Sequence, residues 1–197
     1  MNIQQQLEGF VAFFSDEQKP LCVDSFEKFG LQGKLTHYQK GALLMTQGCP
    51  APNLFFITQG YVRYFNVSVE GKEFTQSFAS APSIAGSTRA MTRNTPALFS
   101  IEALDEVICL EFEWRNFFST MKQQPGFLEA YCQLLENLFI KKEEREYAFA
   151  HHSAEQRYLD FLDRNPELSN KVPLKMIASH IGITPIALSR IRRKLGV

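Results

Sequence analysis

Leu174-Lys-Met-Ile-Ala-Ser-His-Ile-Gly-Ile-Thr-Pro-Ile-Ala-Leu-Ser-Arg-Ile-Arg-Arg-Lys-Leu195 lies within the closing segment Val172 to Val197, and its reading decides the rest. Ile177, Ala178 and Ile181 recur at helical spacing, and Gly182 supplies the positive φ on which a helix stops. Thr184 then offers a capping hydroxyl and Pro185 a first helical position with no N–H to satisfy, so a second helix is predicted from Ile186 to Leu195. Leu188, Ile191 and Leu195 share one face of it, while Ser189, Arg190 and Arg193 fall on others. One side can pack and another can meet a polyanion. Ala178, small and four residues before Gly182, lets the two helices approach, and Ile177, Ile181, Ile183, Leu188 and Ile191 complete a shared core. The pattern is a helix-turn-helix. The plainer alternative is an amphipathic helical hairpin that ends a globular domain.

Charge favours the first reading. From Lys171 onward the chain has six basic residues (Lys171, Lys175, Arg190, Arg192, Arg193, Lys194) and no acidic ones. The whole chain has 21 of each sign, so the remainder holds fifteen basic against 21 acidic residues, a net of minus six. A basic end is the footprint of phosphate contact, and an acidic remainder stays off the duplex.

The 197 residues can hold one full domain and one small one, and eighteen Phe supply a substantial core. No apolar run is long enough for a membrane helix, and Met1-Asn-Ile-Gln-Gln-Gln6 has neither the basic start nor the apolar middle of a signal peptide, so a cytoplasmic protein is expected, without membrane association. Cys22, Cys49, Cys109 and Cys132 form no CxxC pair and are expected to be reduced and structural. His151 and His152 are adjacent, about 100° apart on a helix, so they cannot chelate one metal as an i, i+4 pair would. No metal site is expected.

Residues 2 to 30 carry apolar positions at helical spacing (Leu7, Phe10, Val11, Phe14, then Leu21, Phe26, Phe29), predicting two or three short helices. From about Leu31 the pattern changes to short stretches rich in aromatic and β-branched residues. Leu35–Tyr38, Leu43–Met45, Leu54–Ile57, Tyr61–Val67, Phe74–Phe78, Leu98–Leu104 and Val107–Phe112 are predicted strands, with turns at Lys40-Gly41, Gly48-Cys-Pro50, Gln59-Gly60 and Glu70-Gly71. Their even spacing predicts an antiparallel sandwich or barrel. Helical spacing returns at Trp114-Arg-Asn-Phe-Phe118, and Pro125-Gly126 opens a long helix to about Phe149. Phe127, Leu128, Tyr131, Leu134, Leu135, Leu138 and Phe139 give that helix more apolar face than one sandwich needs, so it is expected to pair with its copy in a second subunit; packing on its own sandwich is the alternative. Ser153-Ala-Glu-Gln156 is a capping box, with Asn165-Pro166 closing the helix it opens.

This order resembles the family of bacterial regulators that includes the cyclic-AMP receptor protein and the fumarate and nitrate reduction regulator (CRP/FNR). Two stretches carry the resemblance: Gly48-Cys-Pro-Ala-Pro-Asn-Leu-Phe-Phe-Ile-Thr-Gln-Gly-Tyr-Val-Arg63, similar to the family's Gly-Asp…Leu-Tyr-Tyr-Ile…Gly-x-Val pattern, and the segment ending Leu188-Ser-Arg-Ile-Arg-Arg193. The resemblance implies an α+β chain: a cyclic-nucleotide-binding-like β-roll (cupin-like in shape) with N-terminal helices over 1–124, a dimerisation helix over 125–150 and a helix-turn-helix domain over 151–197. It implies a homodimer on palindromic double-stranded DNA, with RNA polymerase as a further partner.

Two departures shape the expected function. Cyclic-nucleotide-binding members carry a Gly-Glu pair and an Arg-Ser or Arg-Thr pair around the phosphate; here Gly86 is kept, Ser87 replaces the Glu, and Ala97-Leu98 replace the Arg pair. A buried cyclic phosphate without its Arg loses several kcal/mol, so tight cyclic AMP binding is not expected. Gly86, Ser87, Thr88, Arg89 and Arg93 remain a candidate effector pocket for another anionic or polar molecule, with solvent-exposed arginines as the plainer reading. The iron–sulfur branch uses an N-terminal cysteine cluster, and only Cys22 is near that end; haem, needing one axial His or Cys, stays open. The sequence also ends at Gly196-Val197, before the wing expected of the family, which is either absent or lies beyond these residues; the expected DNA contacts are Thr184, Pro185, Ile186, Ser189, Arg190, Arg192, Arg193 and Lys194. Arg190 is the candidate guanine reader, and Ser189 and Thr184 are lesser readers or phosphate ligands.

An enzyme is the main competing class. His37 is the sole histidine of the β-region, and no GxSxG elbow, P-loop or spaced Cys-His pair is present, so catalysis is not expected. The remaining alternative is a sensing or interaction module without sequence-specific DNA binding.

Overall fold

The computed structural model describes residues 33–196. The N-terminal helices expected over residues 2 to 30, and Cys22, lie outside the described residues. Two compact bodies make up the chain: one holds the residues through Phe65 together with Phe78–Leu135, the other Asn66–Ser77 together with everything from Glu136. The long helix runs through both bodies, and a short stretch of the β-region belongs to the same body as the C-terminal helices.

The chain has eight strands among the described residues: β1 (Lys34–Tyr38), β2 (Leu43–Met45), β3 (Asn53–Gln59), β4 (Tyr61–Val67), β5 (Glu73–Ser80), β6 (Ser83–Ala85), β7 (Ser100–Ala103) and β8 (Val107–Glu113), all in the first body except the end of β4 and most of β5. They form two four-stranded sheets, ordered β1-β8-β3-β6 and β2-β7-β4-β5, with antiparallel pairing of β1, β3 and β6 around β8 and β3 and of β2 and β4 with β7. The expected antiparallel sandwich is present. β6 is not among the expected strands; its three residues hold a strand because Ile84 pairs with Phe56 of β3.

Strand β3 shows why the run Leu54-Phe-Phe-Ile57 is continuously apolar. Successive side chains point to opposite faces, and both faces are covered. Phe55 and Ile57 enter the cluster between the sheets with Leu44, Val62, Ile101 and Val107. Leu54 and Phe56 face the other way and pack with Leu110, Phe112, Trp114, Phe117, Met121 and Phe127. The helices that supply this second layer are α2 (Trp114–Met121) and the start of α3 (Phe127–His151); a short α1 (Thr88–Arg93) lies between β6 and β7. Glu113 caps α2 by accepting from the amides of Arg115 and Asn116. Gly60, at the β3–β4 turn with φ of +91°, admits no other residue, because an added Cβ would collide with the Glu106 carbonyl.

In the second body, α4 (Ala154–Arg164), α5 (Leu174–Ile181) and α6 (Pro185–Leu195) follow α3. Ser153 caps α4 through the Gln156 amide at 3.1 Å, but the expected reciprocal bond is not made: the Gln156 side chain donates to Asp160 at 2.9 Å instead. Tyr158, Phe161, Leu168, Val172, Ile177, Ala178, Ile181 and Leu188 are the buried apolar residues of this body.

Candidate functional site

The two helices read from the sequence form as expected, with a three-residue turn between them. α5 ends at Gly182 in the left-handed conformation, φ 76°, and its amide returns to the carbonyls of Ala178 and Ser179. An added Cβ at Gly182 would lie 2.6 Å from the Phe149 ring, so the turn tolerates no side chain. Thr184 caps α6, its hydroxyl accepting from the Ala187 amide at 3.2 Å, and Pro185 takes the first helical position.

α6 has two faces. Leu188 is fully buried, with Ile191 and Leu195 half-buried on the same side. Opposite them, at intervals of three, four and seven residues, Ile186, Ser189, Arg190 and Arg193 are exposed. The helix is therefore an amphipathic bar whose outward side carries two guanidiniums and one apolar side chain. Arg192 is half-buried at the edge of the packed side. Lys194 is exposed, and its Nζ is paired with Glu155 Oε2 of α4 at 2.6 Å. An acid absent from the basic stretch in sequence is delivered to it in space.

The support behind this face was not legible in the sequence. Ser179 of α5 accepts from the Thr75 amide at 2.9 Å and donates to the Glu73 carbonyl at 3.2 Å. His180 Nδ1 is 3.1 Å from the Gln76 carbonyl and 3.2 Å from Arg145 Nη1, while Arg145 Nη2 donates to the His180 carbonyl at 3.2 Å. Burial and the adjacent Arg145 hold the imidazole well below its usual value, at about 4, so it is neutral at pH 7. The Phe149 ring meets two cations, the Arg145 guanidinium at 4.6 Å and that of Arg157 at 4.9 Å from its centroid. Arg157 also donates to the carbonyls of Ile181 at 2.9 Å and His152 at 2.7 Å, tying off the end of α5.

The candidate effector residues are brought together, but on a small, self-satisfied helix. Ser87 is buried and caps α1 through the Ala90 amide at 3.3 Å, and Thr92 bonds back to the Thr88 carbonyl. Arg89 and Arg93 are both exposed, one turn apart, and Arg89 donates to the Pro96 carbonyl at 2.9 Å. Ala97, standing where the resemblance places a phosphate-binding arginine, is buried in the apolar cluster between the sheets. Tyr64, between the sheets, has its hydroxyl 3.5 Å from the Ile84 carbonyl, and burial raises its phenol above the usual range. Among the described residues, no three His, Cys, Asp or Glu side chains converge as a metal site, and no helix is long and apolar enough to cross a membrane.

The candidate dimer residues on α3 split into two groups. Phe127 is fully buried in its own body, and Tyr131 and Leu134 pack against the same cluster. Phe127 is thus committed to the sandwich and unavailable to a second subunit. Leu128, Leu138, Phe139 and Ile140 are exposed, with Leu135 half-buried. Leu128, Cys132, Leu135 and Phe139 follow at intervals of four, three and four, the spacing of a coiled-coil seam.

Residues 35–124 match the family described as the cyclic nucleotide-binding domain. No curated protein matches the chain. Among solved structures, FixK2 from Bradyrhizobium japonicum is 13% identical with a TM-score of 0.73, over 84% of this chain and 85% of that one. A CooA variant from Carboxydothermus hydrogenoformans is 22% identical with a TM-score of 0.67, over 94% and 84%. A transcriptional regulator of the CRP/FNR family from Thermus thermophilus is 15% identical with a TM-score of 0.69, over 83% and 86%. At such identities the likeness is one of fold. Residues 35–124 are similar to the cyclic nucleotide-binding domain family, and the chain shares the fold of CRP/FNR-type regulators.

Proposed function

We propose that this chain is a DNA-binding transcriptional regulator that acts as a homodimer on a palindromic site, with a β-roll sensor that does not use cyclic AMP. One observation carries the reading: the outward face of α6, with Arg190 and Arg193 exposed opposite a fully buried Leu188. A capped, two-faced helix after a tight turn is the geometry of a major-groove reader, and the fold shared with regulators supports it. Ala97 buried at the expected phosphate position supports the exclusion of cyclic AMP. The outward seam Leu128, Cys132, Leu135, Phe139 supports pairing of α3 with its copy, as helix-turn-helix dimers match two half-sites.

The test is a mobility-shift selection with the full chain against randomised duplexes at moderate salt. Recovery of a two-fold symmetric sequence is expected. Failure to prefer any sequence overturns the regulator and leaves a sensing or interaction module. Calorimetry with cyclic AMP is expected to show no saturable binding at low micromolar concentration. Mild oxidation should trap a covalent dimer through Cys132, lost in Cys132→Ser but kept in Cys49→Ser.

A further inference from the structure

The outward face of α6 contains one residue that neither packing nor phosphate contact explains. Ile186 is 68% exposed, although the helix is already anchored through Leu188, Ile191 and Leu195. Its polar neighbours are turned to local work. The Thr184 hydroxyl caps the Ala187 amide at 3.2 Å, and the Ser189 hydroxyl donates to the Pro185 carbonyl at 3.0 Å. Pro185 brings no N–H and is exposed too. The first turn of α6 therefore presents hydrocarbon outward, followed one turn later by the Arg190 guanidinium and then by Arg193.

In the major groove of duplex DNA, the only hydrocarbon on a base edge is the C5-methyl group of thymine, and arginine pairs best with the O6 and N7 of guanine. Recognition helices present their N-terminal residues to base edges. We propose that Ile186 is a specificity-determining residue that reads the methyl group of a thymine, beside a guanine held by Arg190. Residues i and i+4 of a helix have Cβ atoms about 5–6 Å apart, and bases along one strand rise by about 3.4 Å. The thymine and guanine are thus about one or two base steps apart. The occupant is duplex DNA because the charged residues exposed on this face, Arg190 and Arg193, are both cationic. The inference rests on the proposed regulator reading.

The experiment uses the full chain and the duplex it selects. Each thymine is replaced in turn by deoxyuridine, which removes only the methyl group and keeps the base pair. Affinity is measured by fluorescence anisotropy at fixed salt for the wild-type chain and for Ile186→Ala, whose melting curve serves as the folding control. One deoxyuridine per half-site, one or two steps from a guanine, should weaken wild-type binding about fourfold, the effect of burying one methyl group. Ile186→Ala should bind the thymine and deoxyuridine duplexes equally. A chain that selects a sequence yet ignores every methyl group overturns this inference alone, as does a methyl effect that persists unchanged in Ile186→Ala. A chain that selects no sequence overturns the regulator reading and this inference together.

Discussion

Two helices of this molecule carry arginines one turn apart, and they put them to different use. On α1, Arg89 and Arg93 stand on a six-residue helix whose polar groups close on themselves: Ser87 caps it, Thr92 bonds back to Thr88, and Arg89 holds the Pro96 carbonyl. On α6, Arg190 and Arg193 stand on eleven residues of helix that is anchored on its far side by Leu188. The first pair trims a loop; the second is offered outward on a rigid bar. The difference lies in the packing, since α6 is anchored by Leu188 on the side away from its arginines.

The sharpest way to break the contrast is to remove that packing. Leu188→Ala creates a cavity at a fully buried site and should cost about 2–5 kcal/mol, read as a lower denaturation midpoint, with DNA binding lost alongside. If binding survives with the helix melted, the face does not depend on its support.

Acid should act on the same support. The unfolded chain protonates His180 near its usual 6.5, the folded one only at about 4. Between those values the unfolded state binds the extra proton, so the stability contributed by the neutral imidazole is complete above pH 6.5 and is lost progressively as pH falls to 4. The full loss is about 3 kcal/mol. Urea midpoints from pH 7.5 down to 4 should show it, and His180→Gln should flatten that part of the curve. An unchanged slope in the variant would assign the acid sensitivity elsewhere.

Arg190→Ala should weaken operator binding by about 1–3 kcal/mol and relax one base position, whereas Arg193→Ala should lower the salt slope by about one without changing the preferred sequence. Arg89→Ala is the smallest expected effect, within about 0.5 kcal/mol on stability and none on DNA affinity, since it is exposed and removes one loop hydrogen bond. A large effect of Arg89→Ala on operator binding would erase the distinction between the two pairs.

Much of this was readable from residue order, because the informative patterns are local. The strands announce themselves by aromatic and β-branched runs, and Leu188, Ile191 and Leu195 mark the packed face of α6 by helical period alone. β6 escaped because Ser83-Ile-Ala85 carries no strand signal of its own and is held by Phe55, Phe56 and Ile57 across the ladder. Arg145 sits in the charged run Lys141 to Glu146, which reads as a solvated face; only the fold brings His180 against it. Lys194 reads as a phosphate ligand because Glu155 is 39 residues away in sequence and 2.6 Å away in space. The apolar face of α3 was visible, but its allocation was not: period alone does not say that Phe127 serves its own sandwich while Leu128 turns outward.

The bonds from Glu73, Thr75 and Gln76 to Ser179 and His180 join residues 104 to 106 positions apart. The C-terminal body is thus not a contiguous length of chain, and a fragment starting at Glu136 would lack part of it. During synthesis at about 5–20 residues per second, Thr75 would leave the ribosome about 5–20 s before its partner Ser179. Such long-range closure slows folding, because the loop entropy is lost before the contact is gained. Helix α6 is made well after the strand segment that backs its neighbour α5, and it would be among the last elements to be fixed in place.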